Sequence, residues 1–126
     1  PLGTLMKNNK RKEKKESAID YCERFYPSMM ERFKEIQQED YKVFCEKQMD
    51  YGPGNISLGT GLVDESEVRM SLTGLIIRMN DKVQRLLNLV VKTMREPQNE
   101  SVVDAFGDLS VYGVISRIVS EGKWAR

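Results

Sequence analysis

The sequence predicts an all-α chain: an antiparallel helical bundle of three main helices plus a short N-terminal helix, assembled as an oligomer. Three observations predict it. Apolar residues recur at intervals of three and four through most of the chain, and no run alternates apolar and polar as a half-buried strand would. Helix-stopping residues are widely spaced, at Pro27, Gly52-Pro53, Pro97 and Gly122. At 126 residues, the chain can bury one core but not two.

Residues 1–4, PLGT, read as the remnant of a protease-cut fusion junction. Residues 6–16, MKNNKRKEKKE, carry six Lys or Arg against two Glu and read as a flexible basic arm. The whole chain has a net charge of only +1, so the remainder is mildly acidic and only the arm argues for nucleic acid. A single all-α domain is expected over 17–126. Its first element, residues 17–26, is a short amphipathic helix opened by Ser17 as a cap and closed by Pro27. Residues 28–50 form one long amphipathic helix with Met30, Phe33, Tyr41, Phe44 and Met49 at helical intervals. It stops at Asp50-Tyr51-Gly52-Pro53. A glycine-rich stretch then runs to about Val63, with the aromatic Tyr51 at its mouth, and is expected to act as a pliable lid.

Asp64-Glu65-Ser66-Glu67 supplies a cap and an acidic first turn to the third main helix, which is expected to end just before Pro97. On a helical wheel Arg78, Asp81, Lys82, Arg85 and Asn88 share one side. Leu72, Ile76, Met79, Val83, Leu86, Leu87, Val90 and Met94 form the stripe expected to face the core. The last helix, capped by Asn99 or Ser101 and ended by Gly122, places Glu100, Asp104 and Asp108 at steps of four. The three cations can converge on one anion, and carboxylates at the rim of a core need partners.

Two arrangements satisfy both rows: interhelical ion pairs, or a cleft around a ligand that carries negative charge and hydrogen-bonding edges, as a nucleotide does. Gly74 and Gly107 favour the cleft, because glycine inside a helix costs on the order of 1 kcal/mol and is compensated by a close neighbour. Both helices are apolar over more than half their circumference, with Ile77, Val91 and Phe106 off the main stripes, and this predicts burial against another chain.

The absence of histidine excludes His-based triads and His-ligated zinc. Cys22 and Cys45 lack metal-ligand spacing and read as free thiols of a reducing cytoplasm. Apolar runs fall far short of the roughly 20 residues that span a bilayer, so a cytoplasmic protein with no membrane partner is expected.

The order K..DYG (Lys47, Asp50, Tyr51, Gly52), then GLIIRMNDKVQRLLNL, then ES..DAFGDLSVYGVI resembles the phage and bacterial nucleotide-modification-associated domain of the first type, over about residues 25–120. The resemblance implies work on or with modified nucleotides, and for a phage protein residence in the host cytoplasm. More distantly, the last segment resembles the all-α nucleoside triphosphate pyrophosphohydrolases of the MazG and dimeric dUTPase group, which hold Mg²⁺ between carboxylate pairs on two helices. Here Lys82 and Arg85 stand where one of those pairs is expected.

The first reading is therefore a binder of a nucleotide or nucleotide-derived small molecule, for example one that sequesters a host immune signal. It uses Asp50, Tyr51, Gly52, Arg78, Lys82, Arg85, Asn88, Glu100, Asp104, Asp108 and Tyr112 and requires no cofactor. The alternative is a hydrolase in which Glu100, Asp104 and Asp108, with Asp81, hold Mg²⁺. A structural or nucleic-acid-binding helical protein is the third reading.

Overall fold

The computed structural model describes residues 15–126; the PLGT remnant and the basic arm as far as Lys14 lie outside the described residues. The chain is all-helical, with no strand among the described residues. In order it forms α1 (Ala18–Phe25), α2 (Pro27–Tyr51), α3 (Gly54–Ser57), α4 (Glu65–Leu86), continued by a π-helical turn (Leu87–Lys92), and α5 (Val102–Ser120). Among the described residues no helix is long and apolar enough to cross a membrane.

The starts of these helices follow local chemistry. Ser17 accepts the amide of Asp20 at 3.1 Å. Asp64 and Glu67 complete a reciprocal capping box at α4. Ser101 rather than Asn99 caps α5, accepting the amide of Asp104 at 3.1 Å. Gly122 then leaves α5 at φ +71°, a left-handed conformation that suits glycine.

The structure divides into two compact units, one reaching to Glu39 and one spanning Asp40–Arg126. In the first, Arg24 grips Glu16 through two hydrogen bonds of 2.8 and 2.6 Å and lies 4.5 Å over the ring of Phe25. Lys34 pairs with Glu23 at 2.8 Å. Neither α1 nor α2 contains a buried residue, so the described residues of this unit hold polar pairs but no core.

The core belongs to the second unit. Ile56, Leu75, Ile115, Val119 and Trp124 form it, with Phe44, Leu62, Met79 and Val111 packed around them. Trp124, at the terminal GKWAR, is 4% exposed, meets Phe44 edge to face at 6.0 Å and donates its indole N–H to the Pro53 carbonyl at 3.0 Å.

Two expectations are corrected here. The glycine-rich stretch is not a pliable lid. It contains α3, and four side chains from outside it hold its carbonyls: Ser71 on Ile56 at 2.6 Å, Arg78 on Asn55 at 3.1 Å, Trp124 on Pro53, and Arg126 on Gly61 at 2.7 Å. Such fixing holds Leu58 and Leu62 at φ +56° and +51°, which costs a non-glycine residue about 1 kcal/mol or more each.

The second correction is the face of α4. Of the expected core stripe, Leu86 is buried and Leu72 and Met79 pack against the core, but the unexpected Ser71 and Leu75 are buried as well, whereas Ile76, Val83, Leu87, Val90 and Met94 are exposed. The inward face is thus turned by roughly a fifth of a turn toward the basic ribbon. The helix also changes to π geometry at Leu87 and stops at Lys92, short of Pro97. Among the described residues Gly74 and Gly107 have no neighbour within 4 Å of the position a Cβ would take, so no close approach there explains them.

Candidate functional site

The basic ribbon and the acidic row meet as ion pairs. Lys82 on α4 donates to Glu100 Oε2 at 2.7 Å and lies 2.9 Å from Asp108 Oδ2. Lys47 on α2 approaches Asp108 Oδ1 at 3.6 Å. Arg85 donates to the backbone carbonyls of Glu100 and Ser101, which ties the start of α5 to α4 and holds the Glu100 carboxylate beside Lys82. Asp108 and the Lys82 side chain are each 21% exposed, so the centre of the network is shielded from bulk water.

The ion pairs, working against burial, set the proton affinities. The Lys82 ammonium is pushed well above its ordinary value, first by the hydrogen bond to Glu100 and then by that to Asp108. Burial pushes the Asp108 carboxyl up, but the Lys82 hydrogen bond and the Lys82 and Lys47 charges outweigh it, and the carboxyl stays below its usual range. Stability from Asp108 is therefore present above its unfolded value of about 3.9 and is lost as pH falls through the folded one. Stability from Lys82 is present below about 10.4 and is lost as pH climbs through its raised value. The urea midpoint is expected to be level between roughly pH 5 and 9 and to fall on either side. The acid-side fall should shrink in Asp108→Asn. Lys82→Met, which leaves Glu100 unpaired and Asp108 with Lys47 alone among the described residues, is expected to cost about 2 kcal/mol at pH 7, read from the same urea curves.

Other expected site residues lie outside this network. Arg78 is engaged with Asn55, so the three cations do not converge on one space. Asn88 lies within the π-helical turn, and its carbonyl accepts the Thr93 amide at 2.9 Å and the Thr93 hydroxyl at 2.7 Å. Asp104 and Asp81 are exposed. Asp50 and Tyr51 end α2, Tyr51 being 69% exposed, and Gly52 follows at φ +68°. Tyr112 is half-buried against the core. Lys47 was not among the expected ligand-binding residues; its signal was its place one turn before Tyr51, on the same face of α2.

A divalent cation fits the donor set poorly. Glu100, Asp104 and Asp108 do not come together as a ligand group, and no cluster of three carboxylates or thiols does so among the described residues. The space between Glu100 and Asp108 is taken by the Lys82 ammonium, whose charge repels a metal ion. A separate cavity of about 270 Å³ lies at the glycine-rich stretch, walled by Pro53, Ser57, Thr60, Leu62, Trp124 and Arg126 among others. None of its lining residues belongs to the ion-pair network. Comparison with protein families, curated proteins and solved structures finds no match to this chain.

Proposed function

We propose that the chain binds a nucleotide or nucleotide-derived small molecule beside the Lys47–Asp108–Lys82–Glu100 network, as a non-catalytic binder of the kind a phage would use to sequester a host signal. The single observation that supports it most is the meeting of three separated sequence segments in that network: Lys47 from K..DYG, Lys82 from R.NDK..RL.NL, and Glu100 with Asp108 from ES..D...D. These are the stretches that resemble the nucleotide-modification-associated domain.

The chemistry available is specific. An ammonium has three donors; Lys82 spends two on carboxylates, and one remains for a phosphate oxygen. Lys47, 54% exposed, supplies the second cation, and Tyr51, one turn further along α2, offers an exposed ring on which a base can stack. Glu100 and Asp108 accept hydrogen bonds from sugar or base. Arg85 acts through the backbone at Glu100 rather than on the ligand. In this reading α4 and α5 form an antiparallel pair within a homo-oligomer, and the site requires no metal.

A second reading has its own support: each ribbon cation has a protein acceptor, as an ion-paired scaffold would. Isothermal titration of a panel of mono-, di-, tri- and cyclic nucleotides and ADP-ribose-type molecules, with and without Mg²⁺, separates the two. Micromolar or tighter binding is expected, with the ligand recovered intact by chromatography. Lys47→Ala should weaken binding by about 1.5–3 kcal/mol, roughly ten- to a hundred-fold. Absence of binding across the panel supports the scaffold, and release of pyrophosphate would establish the hydrolase.

A further inference from the structure

We propose that the chain forms a two-fold homodimer by packing the outer face of α4 and its π-helical turn against the same face of a second copy. The interface needs no nucleotide and stands whether or not the binding reading does.

The face is defined by what α4 turns away from its own core. Ile76 is 60% exposed, Ile77 56%, Val83 41%, Leu87 36%, Val90 47%, Val91 68% and Met94 80%. Ile76, Asn80 and Val83 on α4 and Leu87 just past it follow at steps of four, three and four, which is the spacing of a helix-to-helix seam; Val90 lies within the π-helical turn and Met94 past its end. Beside it run Ile77, Gln84 and Val91. From Thr73 to Met94 this face carries no charge; the charged residues Arg78, Asp81, Lys82, Arg85 and Lys92 lie on other sides of the helix.

A second copy is the occupant that this chemistry fits. In a two-fold contact each patch meets itself, so any charge would face its own like; an uncharged face meets that condition. Asn80 and Gln84, the polar members, each carry both donor and acceptor and can satisfy one another across the axis, and a lone amide in an apolar seam fixes register. The area agrees. On these exposures the apolar residues present several hundred Å², on the order of the largest patch on an ordinary monomer and a large part of the ~800 Å² per partner of a stable interface. Within the chain, α4 already packs an adjoining side, through Ser71, Leu75 and Leu86.

The test is sedimentation equilibrium of the full chain at several concentrations. Twice the 14.5 kDa chain mass is expected for the wild type, and a single chain mass for Val83→Glu/Leu87→Glu with its helical circular dichroism retained. If that variant does not fold, Val83→Cys in a Cys22→Ser/Cys45→Ser background decides. Val83 lies at the middle of the seam, close to its own copy for either direction of pairing, so mild oxidation should yield a disulfide-linked dimer. A wild-type monomer at every concentration, an assembly whose mass Val83→Glu/Leu87→Glu leaves unchanged, or a Val83→Cys chain that does not cross-link would overturn the proposal.

Discussion

Trp124→Ala is expected to destabilise the Asp40–Arg126 unit by about 3–5 kcal/mol, a large share of the 5–15 kcal/mol that holds a typical domain folded. The indole is buried at 4% exposure among Phe44, Ile56 and Val119, and its removal leaves a cavity where residues 52–62 rest on α5. A polar contribution adds to this. The indole N–H satisfies the Pro53 carbonyl, at the start of the stretch that also holds left-handed Leu58 and Leu62. Trp124→Phe narrows the comparison, since it keeps a ring against Phe44 and loses the N–H with part of the indole's volume; about 1–3 kcal/mol is expected for that loss. Urea unfolding followed by far-ultraviolet circular dichroism is the suitable measurement, because Trp124 is the only tryptophan and its fluorescence disappears with it. A cost below 1 kcal/mol for Trp124→Ala would mean that the end of the chain is not part of the core.

What the sequence made legible was mostly local. Ser17, Asp64 and Ser101 cap helices because a side-chain oxygen can reach an amide three residues ahead, and that distance is written in the sequence. The pairing of Lys82 with Glu100 and Asp108 was legible as one of two ways to satisfy opposite charges on neighbouring helices. The fate of the glycine-rich stretch was not, because its shape is set from far along the chain: Ser71, Arg78, Trp124 and Arg126 lie 15 to 71 residues from the carbonyls they hold. The π-helical turn left no recognisable mark in its composition.

The face of α4 was misread for a related reason. A helical wheel assigns the most apolar side to the core, which assumes that the core is the only apolar environment a helix meets. Here Ser71 enters the core to bond the Ile56 carbonyl, and Lys82 lies near it because two carboxylates neutralise it. These partners draw a mixed face inward, and the outer part of the apolar stripe, Ile76, Val83, Leu87 and Val90, is left exposed.

Adjacent residues on α4 put that reversal to a direct test. Leu75 is 1% exposed and Ile76 60%, yet the sequence stripe contained Ile76 and not Leu75. Leu75→Ala is expected to cost about 2–5 kcal/mol in urea unfolding, because Ile115, Val119 and Ile56 around it cannot all move into the space it leaves. Ile76→Ala, measured at concentrations low enough for a single chain, should cost under about 1 kcal/mol, the range of surface positions. At high concentration the ranking changes in kind: Ile76→Ala should weaken self-association while leaving the chain's own unfolding nearly as it was, because the methyl groups it removes face a partner rather than the core. If Ile76→Ala instead unfolds the isolated chain as readily as Leu75→Ala, the wheel was right, and the inward face of α4 is the apolar stripe.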